Sequence, residues 1–316
     1  MQAFMVKSAK SAGSALSNVT LRQLRYFDAL AQSLHFGRAA AQCAVTQPAL
    51  SMQIQELERE IGTPLIERTR QGARLTDEGR EIAGRVGRIL AEVRDLVDRA
   101  RHNRGLLSGV LRLGVIPTIA PYLLPPLLSH LRADYPELEL HLRESRTQHL
   151  VAELVAGKLD LVLMALPADH ADIEQLALFT DRFLLALPRA RRLPAKLLAT
   201  PDLMRHDRLL LLEEGHCLRD QALDVCNLRQ VQNIDTYGAS SLSTIVQMVA
   251  RGYGITLLPE ISIALESRSE PLRLVRFAEP QPHRTIGLAW RRSSPRKRDF
   301  IALGKLISAI HAKNSG

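Results

Sequence analysis

The sequence predicts an α/β protein: an N-terminal winged helix-turn-helix and a long dimerisation helix, followed by a two-lobed α/β domain. Three observations carry this. Short amphipathic helices crowd the stretch from Thr20 to Gly62, a heptad-like apolar stripe runs from Ile82 to Ala100, and strands and helices alternate from Gly105 onwards. At 316 residues the chain is long enough for two or three domains, since a domain takes ~100–200 residues. The expected divisions are a disordered leader over 1–18, a winged helix-turn-helix over 19–76, a linker or dimerisation helix over 77–104 and the two-lobed domain over 105–312.

Composition narrows the function classes. Apolar residues at 46% and charged residues at 24% fit a soluble globular protein. The formal charge of +9 calls for a polyanionic partner, nucleic acid or a membrane surface. No apolar run reaches the ~20 residues needed to cross a bilayer, and the start of the chain lacks the apolar core of a signal peptide. The expectation is a cytoplasmic protein without a membrane partner. Three cysteines are too few for a disulfide framework, so a pair in a reducing compartment is metal-binding, catalytic or redox-sensing.

The elements follow in order. "MQAFMVKSAKSAGSALSN" is small, polar and non-periodic, and Met5 offers an alternative start. "TLRQLRYFDALAQ" puts Leu21, Leu24, Phe27 and Leu30 on one helical face, with Thr20 as N-cap. "FGRAAAQC" is a second short helix. In "VTQPALSMQIQELEREIG" Thr46 caps a third, Pro48 sits in its first turn, Leu50, Ile54, Leu57 and Ile61 form its apolar stripe, and Gly62 ends it. Three such helices match a helix-turn-helix, and the extended segments flanking "RQGAR" suit a β-wing carrying Arg68, Arg70 and Arg74. From Asp77, Ile82, Val86, Ile89, Val93, Leu96 and Ala100 alternate at spacings of four and three, a coiled-coil seam that implies a dimer.

After Gly105 come "GVLRLGVI", "YLLPPLLSHLRADYP", "LELHLRE", "TQHLVAELVAG" and "LDLVLMA", a repeated β-α-β pattern that predicts a mostly parallel sheet. A second set from about Glu174 comprises "RFLLALP", "RLLLLEE", "SLSTIVQMVARGYG", "ITLLP" and "TIGLAW". Two such halves imply two lobes with a ligand cleft between them.

"LRQLRYFDALAQSLHFGRAA", "TQPALSMQIQELE", "LIERT", "LTDEG" and the α/β tail together resemble LysR-type transcriptional regulators over nearly the whole chain from Thr20. "GVIPTIAPYLLP", "EEGHCLRDQA" with a second cysteine after it, "GITLLP" and "RTIGL" resemble, in matching order, the peroxide-sensing branch of that family. The resemblance implies a regulatory domain of periplasmic-binding-protein type, duplex DNA as partner, a homodimer through the linker helix assembled into a tetramer, contact with RNA polymerase, and hydrogen peroxide as signal. It implies no cofactor, no resident metal and no enzymatic turnover. The candidate DNA-contacting residues are Thr46, Gln47, Pro48, Ser51, Met52, Gln55, Arg68, Arg70 and Arg74. Met52 stands where the wider family often has arginine, and it cannot make a bidentate guanine contact; reading there falls to its neighbours or to thymine methyls.

The remaining chemistry centres on Cys217 and Cys226. His216, Arg219 and the following turn surround Cys217 with donors that favour thiolate, the form that attacks peroxide, and Asp220 tempers or orients that field. By the resemblance, Thr118 and Thr147 complete a peroxide pocket from the first lobe while also capping helices. If residues 217–226 are helical, nine steps of about 1.5 Å hold the two α-carbons roughly 13 Å apart, whereas a disulfide needs under ~7 Å. Bridging them requires local refolding, which makes the pair a switch. Competing readings stay open: a metal site on His216, Cys217 and Cys226, which lacks a fourth ligand; a thiol peroxidase; and a LysR-type regulator with a small organic effector in the cleft and incidental cysteines. Cys43, among alanines, reads as a small buried hydrophobe.

Overall fold

The computed structural model describes residues 18–69, 72–101, 105–192, 194, 196–200, 203–204, 207–225, 234–268 and 272–314. The expected leader up to Ser17, Arg70 and Cys226 lie outside the described residues. The chain divides into two compact units at Leu96/Val97.

In the first unit, helix α1 (Leu21–Ser33) begins with a capping box: the Thr20 hydroxyl accepts from the Gln23 amide, and the Gln23 side chain accepts from the Thr20 amide. Helix α2 (Phe36–Gln42) is capped by the His35 ring. Helix α3 (Gln47–Ile61) is capped by Thr46 and stopped by Gly62, which adopts the left-handed φ of 84° that side chains avoid. Leu24, Phe27, Leu30, Leu50, Ile54 and Leu57 meet in one core, whereas Leu21, in the first turn of α1, is exposed. Strands β1 (Ile66–Thr69) and β2 (Gly72–Leu75) pair as an antiparallel wing. Glu58 anchors its root to α3 by accepting from the Leu65 and Ile66 amides.

Helix α4 (Asp77–Arg101) departs from the expected seam. Val86 and Ile82 pack into the core of their own unit, joined by Leu90, while Ile89 and Leu96 are exposed. A heptad stripe does not say what covers it. Here the N-terminal turns cover the helix-turn-helix core, and only the later positions are left for another chain.

The second unit is built on a seven-stranded sheet. Strand β3 (Gly109–Val115) lies between β4 (Leu138–Glu144) and β5 (Leu161–Leu166), both parallel to it. Helices α5 (Ala120–Asp134) and α6 (Thr147–Val155) make the crossovers. Strand β6 (Ile173–Pro188) is the organising element, because its 16 residues serve both lobes. Its first half pairs with β11 (His283–Arg291), and its second half pairs with β9 (Thr256–Pro259) and β10 (Leu272–Arg276), all antiparallel. Strand β11 also lies antiparallel to β5. The sheet is therefore mixed, not mostly parallel. The chain leaves the first lobe along β6 and returns along β11, so "TIGLAW" belongs to the first lobe's sheet. Helix α10 (Lys297–Asn314) follows it there, burying Phe300, Leu303, Ile307 and Ile310 in the first-lobe core.

The second lobe adds β7 (Leu209–Leu212), parallel to β8 (Ile234–Ala239), with helices α7 (Cys217–Val225), α8 (Leu242–Ala250) and α9 (Glu260–Glu266). Leu218 and Ala222 of α7 enter two different apolar clusters, which fixes the helix against the lobe. Among the described residues no helix is long and apolar enough to cross a membrane.

Candidate functional site

Two sites emerge, one in each unit. On α3 the buried stripe of Leu50, Ile54 and Leu57 turns the opposite face outward: Thr46, Gln47, Pro48, Met52 and Gln55 are exposed, and Ser51 is half-buried. Arg68 of the wing reaches this helix, donating from Nη2 to Ser51 Oγ at 2.6 Å, with its guanidinium 4.9 Å from the centre of the Phe36 ring. The wing cation is thereby held beside the exposed face of α3. Arg74 lies across the hairpin from Glu67 and is exposed. An exposed helix face with adjoining cations has the form of a nucleic-acid interface. Cys43, at the end of α2, is half-buried against the helix core, and burial pushes its thiol up from the ordinary range.

In the second unit Cys217 opens α7 as a free, half-buried thiol packed against the first-lobe core. The first turn of a helix leaves amide N–H groups without intrahelical partners and carries partial positive charge. The loop Glu213–His216 delivers the cysteine from β7. His216 is buried at 5% exposure, and burial first, then the Arg146 guanidinium, lowers its ring below the usual histidine range, with Glu213 opposing. The neutral form of the imidazole is thereby favoured. Arg219 is tied elsewhere: its Nη1 donates to the Leu212 carbonyl. Asp220 is exposed on the first turn of α7.

Thr118 and Thr147 both belong to the first lobe, but neither caps its helix: Ile119 and Arg146 hold the cap positions without side-chain bonds. Thr118 is buried, and its hydroxyl accepts from Arg284 Nη1 at 2.9 Å while its carbonyl accepts from Nη2 at 3.1 Å. The Thr118 O–H remains able to donate. Thr147 Oγ1 is buried with no hydrogen-bond partner among the described residues, a state that few buried polar groups keep.

Arg284 is the residue that local sequence pattern does not reveal. Its Nε donates to Asp181 Oδ2 at 2.9 Å, and Asp181 Oδ1 accepts from the Ile261 amide, so one buried carboxylate joins β6, β11 and the start of α9. The available signal was a lone cation at the head of the apolar strand "RTIGLAW".

Residues 21–80 match the model of the bacterial regulatory helix-turn-helix protein, lysR family, and residues 104–308 match the LysR substrate binding domain. The chain belongs to the LysR family. Among LysR-family relatives it is 43% identical over 290 residues to a probable hydrogen peroxide-inducible genes activator of Streptomyces viridosporus, covering 91% of this chain and 93% of that one. It is 39% identical to the DNA-binding transcriptional dual regulator OxyR of Escherichia coli K12, covering 92% and 95%. A full-length OxyR of Pseudomonas aeruginosa with a cysteine-to-aspartate change shares the LysR fold with a TM-score of 0.78 at 36% identity, over 92% of this chain and 97% of that one.

Proposed function

We propose that this LysR-family chain is a cytoplasmic, DNA-binding transcriptional regulator that senses hydrogen peroxide through Cys217. The observation that carries the reading is the buried hydroxyl of Thr147, without a partner among the described residues, in the lobe against which the free, helix-opening thiol of Cys217 packs. A peroxide molecule offers the donors and acceptors that Thr147 lacks and that the oriented Thr118 hydroxyl can meet. The names of the relatives point the same way.

The chemistry balances in two steps. The Cys217 thiolate attacks one peroxide oxygen, the O–O bond breaks, and the departing hydroxide takes a proton to become water. The Cys226 thiol then displaces the hydroxyl of the resulting sulfenic acid, forming the S–S bond and releasing a second water. Two thiols thus give up two electrons and two protons to one peroxide.

Helix α7 spans Cys217 to Val225, eight steps that set those α-carbons about 12 Å apart. The next residue is about 3.8 Å further along the chain. While α7 stays helical, Cys226 cannot approach Cys217 closer than about 8 Å, beyond the ~7 Å limit of a disulfide. Closing the bridge therefore requires α7 to unwind, and that rearrangement is the signal passed to the oligomer and its promoter contacts. A dimer through the exposed part of α4, assembled into a tetramer that engages RNA polymerase, completes the proposal. A thiol peroxidase would share the reactive cysteine and its reductive reset but would not require the winged helix-turn-helix.

The test is trapping of sulfenic acid with a dimedone probe after a stoichiometric peroxide pulse on Cys226→Ser protein. Label confined to Cys217 supports the assignment; label absent from Cys217 refutes it.

A further inference from the structure

A first-lobe side chain reaches across to the loop that carries His216 and Cys217. Arg146, the residue before Thr147 at the start of α6, pairs through Nη2 with Glu213 Oε1. Its aliphatic and guanidinium atoms also lie against Gly215: a Cβ built there would come 3.1 Å from both Arg146 Cδ and Nη1. Gly215 has φ 90°, a backbone state open to glycine. His216, next in sequence, is buried close enough to Arg146 for that charge to act on its ring, and its Nε2 lies 3.9 Å from Glu213 Oε1. A first-lobe cation thus touches or faces Glu213, Gly215 and His216 in turn, and the residue after them is Cys217. Glu213 is itself fixed to the second lobe, since its amide donates to the Ala239 carbonyl at the end of β8.

We propose that Arg146 is a positioning residue for the peroxide reaction: by pairing with Glu213 across the lobe boundary and lying over Gly215, it pins the His216–Cys217 loop against the first lobe. The proposal rests on the assignment of Cys217 as the sensing thiol. It adds why the thiol meets the first-lobe hydroxyls in one arrangement and what must let go when α7 unwinds. The ion pair alone is modest, because both side chains are about a third exposed. Its effect is on the population of the reactive loop conformation.

The test uses the full-length protein with Cys226→Ser, so that oxidation stops at the sulfenic acid. Arg146→Gln and Glu213→Gln should each slow the reaction of Cys217 with peroxide about 5-fold, the rate equivalent of about 1 kcal/mol. The charge swap Arg146→Glu with Glu213→Arg should recover most of that loss. Gly215→Ala, which thrusts a methyl into the arginine, should behave like Arg146→Gln. Alkylation of Cys217 by iodoacetamide, which needs no first-lobe hydroxyl, should change less than the peroxide rate. Backbone hydrogen exchange over residues 213–218 should quicken in the single variants and return in the swap.

An unchanged peroxide rate in Arg146→Gln overturns the positioning role, and equal slowing of both reagents reduces it to general stability. If Cys217 of the parent did not react with peroxide, the sensing assignment would fall, and exchange would still judge the pin: unaltered exchange in Arg146→Gln overturns it.

Discussion

Arg284 holds Thr118 by two hydrogen bonds, to its hydroxyl at 2.9 Å and to its carbonyl at 3.1 Å, while its Nε is bound to Asp181. The Arg284 and Asp181 side chains are 1% and 0% exposed. Removing one member of such a pair leaves the other charged and buried, at a cost of about 3–5 kcal/mol. Arg284→Leu should lose that much in urea unfolding and also misorient Thr118. Replacing both residues with leucine should cost clearly less than the sum of the single changes. Additive costs would mean that the two charges do not compensate each other.

On the DNA side, Arg68→Ala and Arg74→Ala should weaken binding to all duplexes. Each should lower the slope of log affinity against log salt by roughly 1 for every phosphate left without its cation. Met52→Arg should instead change the preferred site toward guanine, because arginine supplies the bidentate donors that methionine lacks. A salt slope unaffected by Arg68→Ala would remove the wing from the interface.

The two parts of α4 should respond differently to substitution. Ile89→Glu or Leu96→Glu places charge where a partner helix is expected and should weaken the dimer about 100-fold or more by sedimentation, with the monomer fold intact. Val86→Ala, inside the helix-turn-helix core, should cost about 2 kcal/mol of stability with little effect on association. Identical behaviour of the two groups would contradict this division.

His311 stacks on Phe179 with ring centres 3.7 Å apart, and burial lowers it below the ordinary 6.5, against the pull of Asp181 and Glu260. The folded state therefore resists a proton that the unfolded chain accepts. The stability this contributes is complete above pH ~6.5 and is lost as pH falls from there through the lowered value. Thermal melts from pH 7.5 to 5 should fall more steeply for the parent than for His311→Gln. Parallel curves would show that the ring titrates alike in both states.

Local chemistry was readable from the sequence. Thr20, Thr46 and Gly62 bound their helices because caps act over three or four residues. The helix-turn-helix core followed from helical periodicity. Long-range features were not readable. Strand β6 was visible only in its apolar half, since residues 173–181 alternate irregularly between apolar and polar. The return of β11 to the first lobe depends on topology that no spacing encodes.

Within the site, Cys217 and His216 stand out in the sequence itself, and the two threonines come from family likeness. Their hydroxyls were also expected to cap helices, but tertiary structure overrode that local preference: Thr118 is taken by an arginine 166 residues away, and Thr147 has no partner among the described residues. Arg284 and Arg146 act through partners far along the chain, so neither could be assigned a role from local pattern.

Whether peroxide acts on promoter contacts through Cys217 is decided by peptide mapping and DNA footprinting on one sample of full-length protein, before and after a brief stoichiometric peroxide pulse, alongside Cys217→Ser. The expected result is a Cys217–Cys226 bridge together with an altered footprint in the parent, and neither in the variant. A footprint that shifts equally in Cys217→Ser would contradict the proposed mechanism.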